Sequence, residues 1–391
     1  MARFIDMSFR FEALCQGSVT WTVQLRQFVP SSRFCRICID ILPVCHEDRP
    51  LYSLRVWRLW EGKMPWSKVL VFEDPVQYAT SVRSAEIQIF PTTKGNFRAE
   101  LTQVTLNELW MQRFAECLPR VHRGTISPGR QVYTFLTSEQ PEVHSRGRLL
   151  SLGEMCVHDY DVQHVKTSGE YRFGGVSLRP EALATSWRSL VGSEFNPHKG
   201  ARFIRPNSDL MSRFLNLHAI AGGLAKSAPD LFTQPEVAHA IEQHLLRALI
   251  NCLADCEASN FGTGLLRHGI ILGRFEGYLE ANPNTPLHLS EVCAAIGVAE
   301  RTLRAACEEH LGMGPIRYLT LRRMHLVRHA LRQAAPDAKT VTQVATAHGF
   351  CELGRFAVAY RQMFDESPIA TLRKTPDSRR EKVSRPLKLV S

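Results

Sequence analysis

The sequence predicts an α+β chain of several domains: an N-terminal β-rich domain forming a barrel or sandwich, a helical segment, and an all-α C-terminal domain with two helix-turn-helix units. Three observations predict it. At 391 residues the chain is longer than one typical domain. Between about Val69 and Arg205, apolar residues recur with period two in short runs separated by turn residues. From about Phe275 to Lys374 a helix, a Gly turn and a second helix occur twice.

Residues 1–63 show no clean period and are expected to be an irregular, disordered extension, with Met64 as an alternative start. Cys35-Arg-Ile-Cys38, followed by Cys45-His46, has the C-x-x-C spacing of zinc sites. No second well-spaced pair follows, so metal binding is the weaker reading.

Residues 64–205 are expected to form the β domain. Strand candidates are Ala85–Phe90, Phe97–Leu106, Leu109–Phe114, Gln131–Leu136, Leu149–Leu152, Cys156–Tyr160 and Tyr171–Ser177. Lys94-Gly95-Asn96 and Ser127-Pro128-Gly129 supply turns. A barrel of this size can hold one small molecule. Phe97, Trp110, Phe135, Tyr160 and Phe173 are the candidate walls, although such residues are more often plain core. His122, His144, His158 and His164 lack a His-x-His pair, which would set two imidazoles on one strand face. His158 and His164 share parity across Tyr160 and Val162. Satisfied or exposed histidines are the default reading.

Residues 206–256 return to helix. Ser208 is placed to cap a helix to Lys226 with Leu210, Phe214, Leu217 and Ile220 as its apolar stripe. Pro235 opens a second helix carrying Val237, Ile241, Leu245, Leu249 and Leu253. Part of this surface is expected on the β domain and the rest in a dimer seam. Residues 257–267, with Ser259, Gly262 and Gly264, read as a linker.

The first repeat spans Leu287 to Pro315 and the second Val341 to Pro368. In the first, Leu289, Val292, Cys293 and Ile296 make one face, Gly297 turns, and Leu303, Ala306, Cys307 and Leu311 point inward from the next helix. In the second, Val341, Val344, Ala345 and His348 precede the turn at Gly349, and Phe356, Ala359, Tyr360 and Phe364 form the buried stripe. A helix from Ile316 to Ala334 joins them. One copy reads equally well as two packed core helices; two copies in tandem favour DNA binding.

This stretch resembles the DNA-binding domain of the AraC/XylS family of bacterial transcription regulators. The residues carrying the resemblance are Gly349-Phe350, Phe356, Tyr360-Arg361, Phe364 and Ser367-Pro368, with Gly297-Val298, Arg301, Leu303, Gly312, Pro315, Tyr318 and Arg322 in the first copy. Four positions depart from the family pattern. Ala299 stands where a capping Ser is usual, Cys307 replaces a Phe, Cys351 a Ser, and Asp365 a Gly. The resemblance implies a cupin-like ligand-sensing barrel ahead of residues 268–374, a small-molecule effector, a homodimer, RNA polymerase as a partner, and activation. It places DNA contacts at Glu300, Arg301, Thr302, Arg304 and Ala305, and at Glu352, Leu353, Gly354, Arg355, Val358 and Arg361. Arg301 and Arg304 suit guanine edges. Leu353 and Val358 can touch only apolar groups such as thymine methyls, and Arg355 and Arg361 suit phosphates. The first copy is therefore expected to specify bases and the second to position.

Charge agrees with a polyanion partner. Net charge is +10, and residues 261–391 hold 19 Lys and Arg against 12 Asp and Glu. The tail from residue 375 is basic and expected to be disordered. No apolar run long enough for a membrane span or a signal peptide occurs, so the eleven Cys are expected as reduced thiols in the cytoplasm. No cofactor is expected. Two other classes stay open: a cupin-type metal enzyme, and an Ada-like DNA-repair methyl acceptor. The second needs Cys15, Cys35, Cys38 and Cys45 as a four-thiolate site, and their spacing lacks two close pairs.

Overall fold

The computed structural model describes residues 6–11, 21–27, 37–40, 65–158, 162–195, 203–259, 263–282, 288–334 and 339–373. The chain divides into two compact units, residues 1–62 and 63–391. In the first, β1 (Asp6–Phe11), β2 (Trp21–Gln27) and β3 (Ile37–Asp40) form an antiparallel sheet in that order. The expectation of an irregular extension is corrected for these strands. Trp21-Thr-Val-Gln-Leu alternates with period two, the local pattern of a strand. Cys15, Cys35 and Cys45 lie outside the described residues, as does the basic tail.

The second unit opens with β4 (Trp66–Phe72), α1 (Pro75–Ser81), β5 (Ala85–Pro91), β6 (Ala99–Thr105), β7 (Trp110–Glu116) and β8 (Arg120–Ile126). It continues with β9 (Gln131–Leu136), β10 (Val143–Ser145), β11 (Arg148–Leu149), β12 (Met155–His158), β13 (Gln163–Thr167) and β14 (Tyr171–Leu178). Then come α2 (Pro180–Val191), β15 (Phe203–Pro206), α3 (Ser208–Ser227), α4 (Pro235–Ala254) and β16 (Cys256–Ser259). The strands make two antiparallel sheets, ordered β11-β10-β13-β8-β5 and β16-β15-β12-β9-β14-β7-β6-β4.

The predicted barrel is corrected here: the β domain is two sheets and not a closed barrel. Among the described residues β5 bonds only to β8, and α1 packs beside it, so that edge is covered rather than joined to β4. Tyr160 lies outside the described residues. His158 and His164 fall on different strands, β12 and β13, and face different neighbours.

α3 and α4 pack on the larger sheet. Phe135, Met155 and Val176 meet Met211, Phe214, Leu249 and Leu253 in one buried cluster. Asn207, not Ser208, caps α3. The buried stripe is Met211, Phe214, His218, Ala221 and Ala225, which leaves the predicted Ile220 about half exposed. The buried Glu242 of α4 accepts from the amides of Glu108 (2.6 Å) and Leu109 (2.9 Å) and from Asn107 Nδ2 (2.9 Å). These donors replace the water that a buried carboxylate would otherwise lose. The expected linker 257–267 is mostly structured, since β16 pairs with β15 and the next helix begins at Thr263.

The C-terminal helices are α5 (Thr263–Ala281), α6 (Leu289–Ile296), α7 (Glu300–Leu311), α8 (Pro315–Gln333), α9 (Val341–Ala347), α10 (Leu353–Phe364) and α11 (Pro368–Arg373). They build two cores. One joins Leu272, Phe275, Val292, Leu303, Cys307 and Tyr318. The other joins Met324, Leu331, Val344, Phe356, Tyr360 and Phe364. α8 passes through both, so it sets their spacing.

Candidate nucleic-acid interface and interior cavity

In the first unit α6 stops at Gly297, whose φ of 67° is open to Gly at little cost. α7 then starts after Ala299 without a side-chain cap. Leu303, Ala306, Cys307 and Leu311 are buried, and the opposite face presents Glu300, Arg301, Arg304 and Ala305 to solvent with Thr302 half-buried. Arg304 Nη2 lies 2.8 Å from Glu300 Oε1. Burial pushes the Cys307 thiol up to about 12, so it serves as a small packing group at neutral pH.

The second unit is better capped. Thr340 accepts from the Gln343 amide, and the Gln343 side chain returns a bond to the Thr340 amide. Gly349 turns with φ 80°. α10 buries Phe356, Tyr360 and Phe364. Glu352, Gly354, Arg355, Val358 and Arg361 are exposed and Leu353 is half-buried. Val358 is 57% exposed, an apolar side chain held in water on a helix face. Arg355 Nη1 sits 2.8 Å from Glu352 Oε2. The two exposed faces thus hold the residues singled out in the sequence, Thr302 and Leu353 at their margins.

Between the two sheets lies a cavity of about 70 Å³. Trp110 and Phe173 line it, as the sequence suggested, whereas Phe97 packs behind the lining residue Tyr78 and Phe135 belongs to the core on the opposite sheet face. The sequence missed its polar lining. Glu116 and Arg120 form a buried ion pair, Tyr78 Oη donates to Glu116 Oε1 (2.7 Å), and Arg120 bonds the His122 ring. Thr134 and His158 are 2.6 Å apart. Burial raises the Glu116 carboxyl against the pull of Arg120. Burial first, then the charge of Arg120, holds His122 well below the ordinary histidine range, so it is neutral near pH 7. The one available signal was β8 itself, where Arg120 and His122 alternate with Val121 and Arg123.

Among the described residues no cluster of three His, Cys, Asp or Glu is arranged to hold a metal. No helix among them is long and apolar enough to cross a membrane.

Two helix-turn-helix units on a shared helix define a tandem DNA-binding domain. The family described as "Helix-turn-helix domain" matches residues 292–374. The chain is 39% identical over 99 residues to the probable thc operon regulatory protein of Rhodococcus erythropolis, covering 25% of this chain and 30% of that one. It is 27% identical over 179 residues to the XylDLEGF operon transcriptional activator of Pseudomonas putida, covering 45% of this chain and 54% of the relative. The chain therefore spans about half or less of these curated relatives. A third relative is the transcriptional activator RhaS of Pectobacterium atrosepticum, 29% identical over 166 residues, covering 42% of this chain and 55% of the relative. Residues 292–374 are thus similar to a helix-turn-helix domain shared with these regulators. Among solved structures the AraC-like transcriptional activator CuxR aligns with 72% of this chain and 99% of its own at 15% identity and a TM-score of 0.34.

Proposed function

We propose that the protein is a sequence-specific DNA-binding transcription regulator, a ligand-responsive activator, acting as a homodimer with RNA polymerase as its partner. The observation that carries this is the pair of exposed recognition faces on α7 and α10, held apart by α8. At 1.5 Å per residue the 19 residues of α8 span about 28 Å. Successive major grooves on one face of DNA are roughly 34 Å apart, so one such helix suits two adjacent grooves. The relatives' names, two of them activators, support the same reading.

Within this reading residues 64–205 are the sensing domain, 206–256 the dimerisation region and 268–374 the DNA-binding domain, and the protein works in the cytoplasm. Arg301 and Arg304 read guanine edges, Thr302 and Ala305 flank them, and Glu300 holds Arg304 until DNA displaces it. Leu353, Gly354 and Val358 give an apolar approach to thymine methyls. Arg355 and Arg361 meet phosphates, and Glu352 pre-orients Arg355. The effector is a small molecule taken into the cavity between the sheets.

The test is binding of the full chain to promoter fragments across a salt series, beside Arg304→Ala. Expected is a footprint with a steep salt slope, and loss of site preference in the variant. Binding that is equally weak on every sequence, with and without added metabolites, would overturn the reading.

A further inference from the structure

The cavity and the C-terminal helices share walls. Side chains alternate along a strand, so Arg120, His122 and Ile126 of β8 line the cavity, whereas Val121 packs with Leu272 and Phe275 and Arg123 turns to α5. On β13, Gln163 and Val165 line the cavity and His164 faces the other way.

Against that outer face lies Glu276 of α5, almost wholly buried. It accepts from His164 Nε2 (2.7 Å) and from Tyr318 Oη (2.5 Å), and it pairs with Arg123 Nε (2.6 Å). Arg123 also reaches Glu280 (2.6 Å). This cluster anchors the first helix-turn-helix unit.

The second unit is anchored elsewhere. One oxygen of Asp74 caps α1 by accepting from the amides of Val76 (2.8 Å) and Gln77 (3.0 Å). The other pairs with Arg332 in the last turn of α8. His325 donates to the Pro91 carbonyl (3.0 Å) and its ring packs on Phe364. One turn along α1 from Asp74, Tyr78 donates to Glu116, the carboxylate paired with Arg120 in the cavity. Thus α1 connects the cavity to the second unit, as β8 and β13 connect it to the first.

We propose that Glu276 with Arg123 and His164, and Asp74 with Arg332, are two separate latches, one per helix-turn-helix unit, which filling of the cavity releases. The proposal rests on the regulator reading. The cavity is about half of the ~150 Å³ that admits benzene. An effector larger than a few waters therefore has to displace its walls, and those walls carry the latch residues on their outer side. Release frees the C-terminal helices, as a pair of units spaced by α8, from the β domain to meet DNA.

The experiment uses the full chain without added ligand, with Asp74→Asn and Arg123→Glu singly and together. Asn caps a helix as well as Asp, so Asp74→Asn keeps α1 and loses only the charge facing Arg332. Arg123→Glu sets like charge against Glu276 and Glu280 and alters no residue of the C-terminal domain. Amide hydrogen exchange reads each latch without reference to DNA. Asp74→Asn is expected to speed exchange about tenfold in the last turn of α8 and in α9, leaving α5 to α7 unchanged, and Arg123→Glu to do the reverse. The double variant is expected to bind promoter DNA about tenfold more tightly than wild type, within the usual span of coupling between sites. Melting curves near that of wild type for Asp74→Asn show that the fold is kept.

Exchange that rises in both units with either variant, or in neither, overturns the separate latches. Both exchange changes with unaltered DNA affinity in the double variant overturn the release step. Both exchange changes with no DNA binding by any version, wild type included, leave the latches standing and fail the regulator reading.

Discussion

The two helix-turn-helix units solve the same packing problem with different materials. To the first core, which also holds Phe275 and Tyr318, the recognition helix α7 contributes only aliphatic or small residues, Leu303, Ala306 and Cys307 among them. The second is an aromatic series, with Phe350 on Phe356, Phe356 on Tyr360, and Tyr360 on Phe364 at ring separations of 4.8, 5.6 and 4.6 Å. Outside, α7 shows mainly charge, whereas α10 sets Gly354 and Val358 among Arg355 and Arg361. A recognition face and its core are therefore chosen independently, because they lie on opposite sides of one helix.

The largest expected effect separates the cores. Phe356→Ala should destabilise by about 3–5 kcal/mol and Cys307→Ala by much less, since far more buried volume is removed. Urea unfolding measures both, and equal losses would refute the contrast.

Acid should then weaken both units. Burial holds His310, at the end of α7, and His325, on α8, down to about 4. The unfolded chain binds these protons below about 6.5, where the folded state does not, so stability is lost as pH falls from about 6.5 toward 4. Between pH 7 and 5 the loss is about 2 kcal/mol for each histidine. Denaturant midpoints across that range, with His310→Gln and His325→Gln flattening the slope, check the sign.

Base choice comes next. Arg304→Ala should cost about 1–3 kcal/mol of discrimination at one base pair, while Val358→Ala should change affinity with little change in preference. Selection of binding sites from a random pool tests it, and a larger change in preference for Val358→Ala would reverse the assignment of roles.

The smallest effects lie at helix ends. Ala299→Ser should stabilise the first unit by about 1 kcal/mol, and Thr340→Ala should cost the second about as much. Asp365 ends α10 at φ 56°, the left-handed region. Asp365→Gly should therefore gain a few tenths of a kcal/mol up to about 1 kcal/mol. Thermal melts resolve these changes, and no gain at Ala299 would mean that another donor or water already serves the start of α7.

Much of the C-terminal domain was legible because its pattern is local. Gly297 and Gly349 mark the turns, and residues three and four apart mark the buried faces. The β domain was less so. β8 escaped notice because its inward residues are Arg120 and His122, which inverts the usual apolar alternation. The stripe of α3 was read one residue out for a related reason: His218 is buried there, its ring held 2.9 Å from Arg113, while Ile220 faces water. Polar groups buried with partners are invisible to a pattern that equates burial with apolarity.

The sequence by itself determined that two amphipathic helix pairs repeat on one connecting helix, and which side of each is charged. Periodicity is a property of neighbours along the chain, so no tertiary information was needed. Only the tertiary structure decided that the sheets stay open around a small cavity with buried polar groups among apolar walls, and that Arg123, His164 and Glu276, up to 153 residues apart in number, share one buried cluster. Such contacts depend on strand order and on which strand face meets α5, and neither is written in any short stretch of the chain.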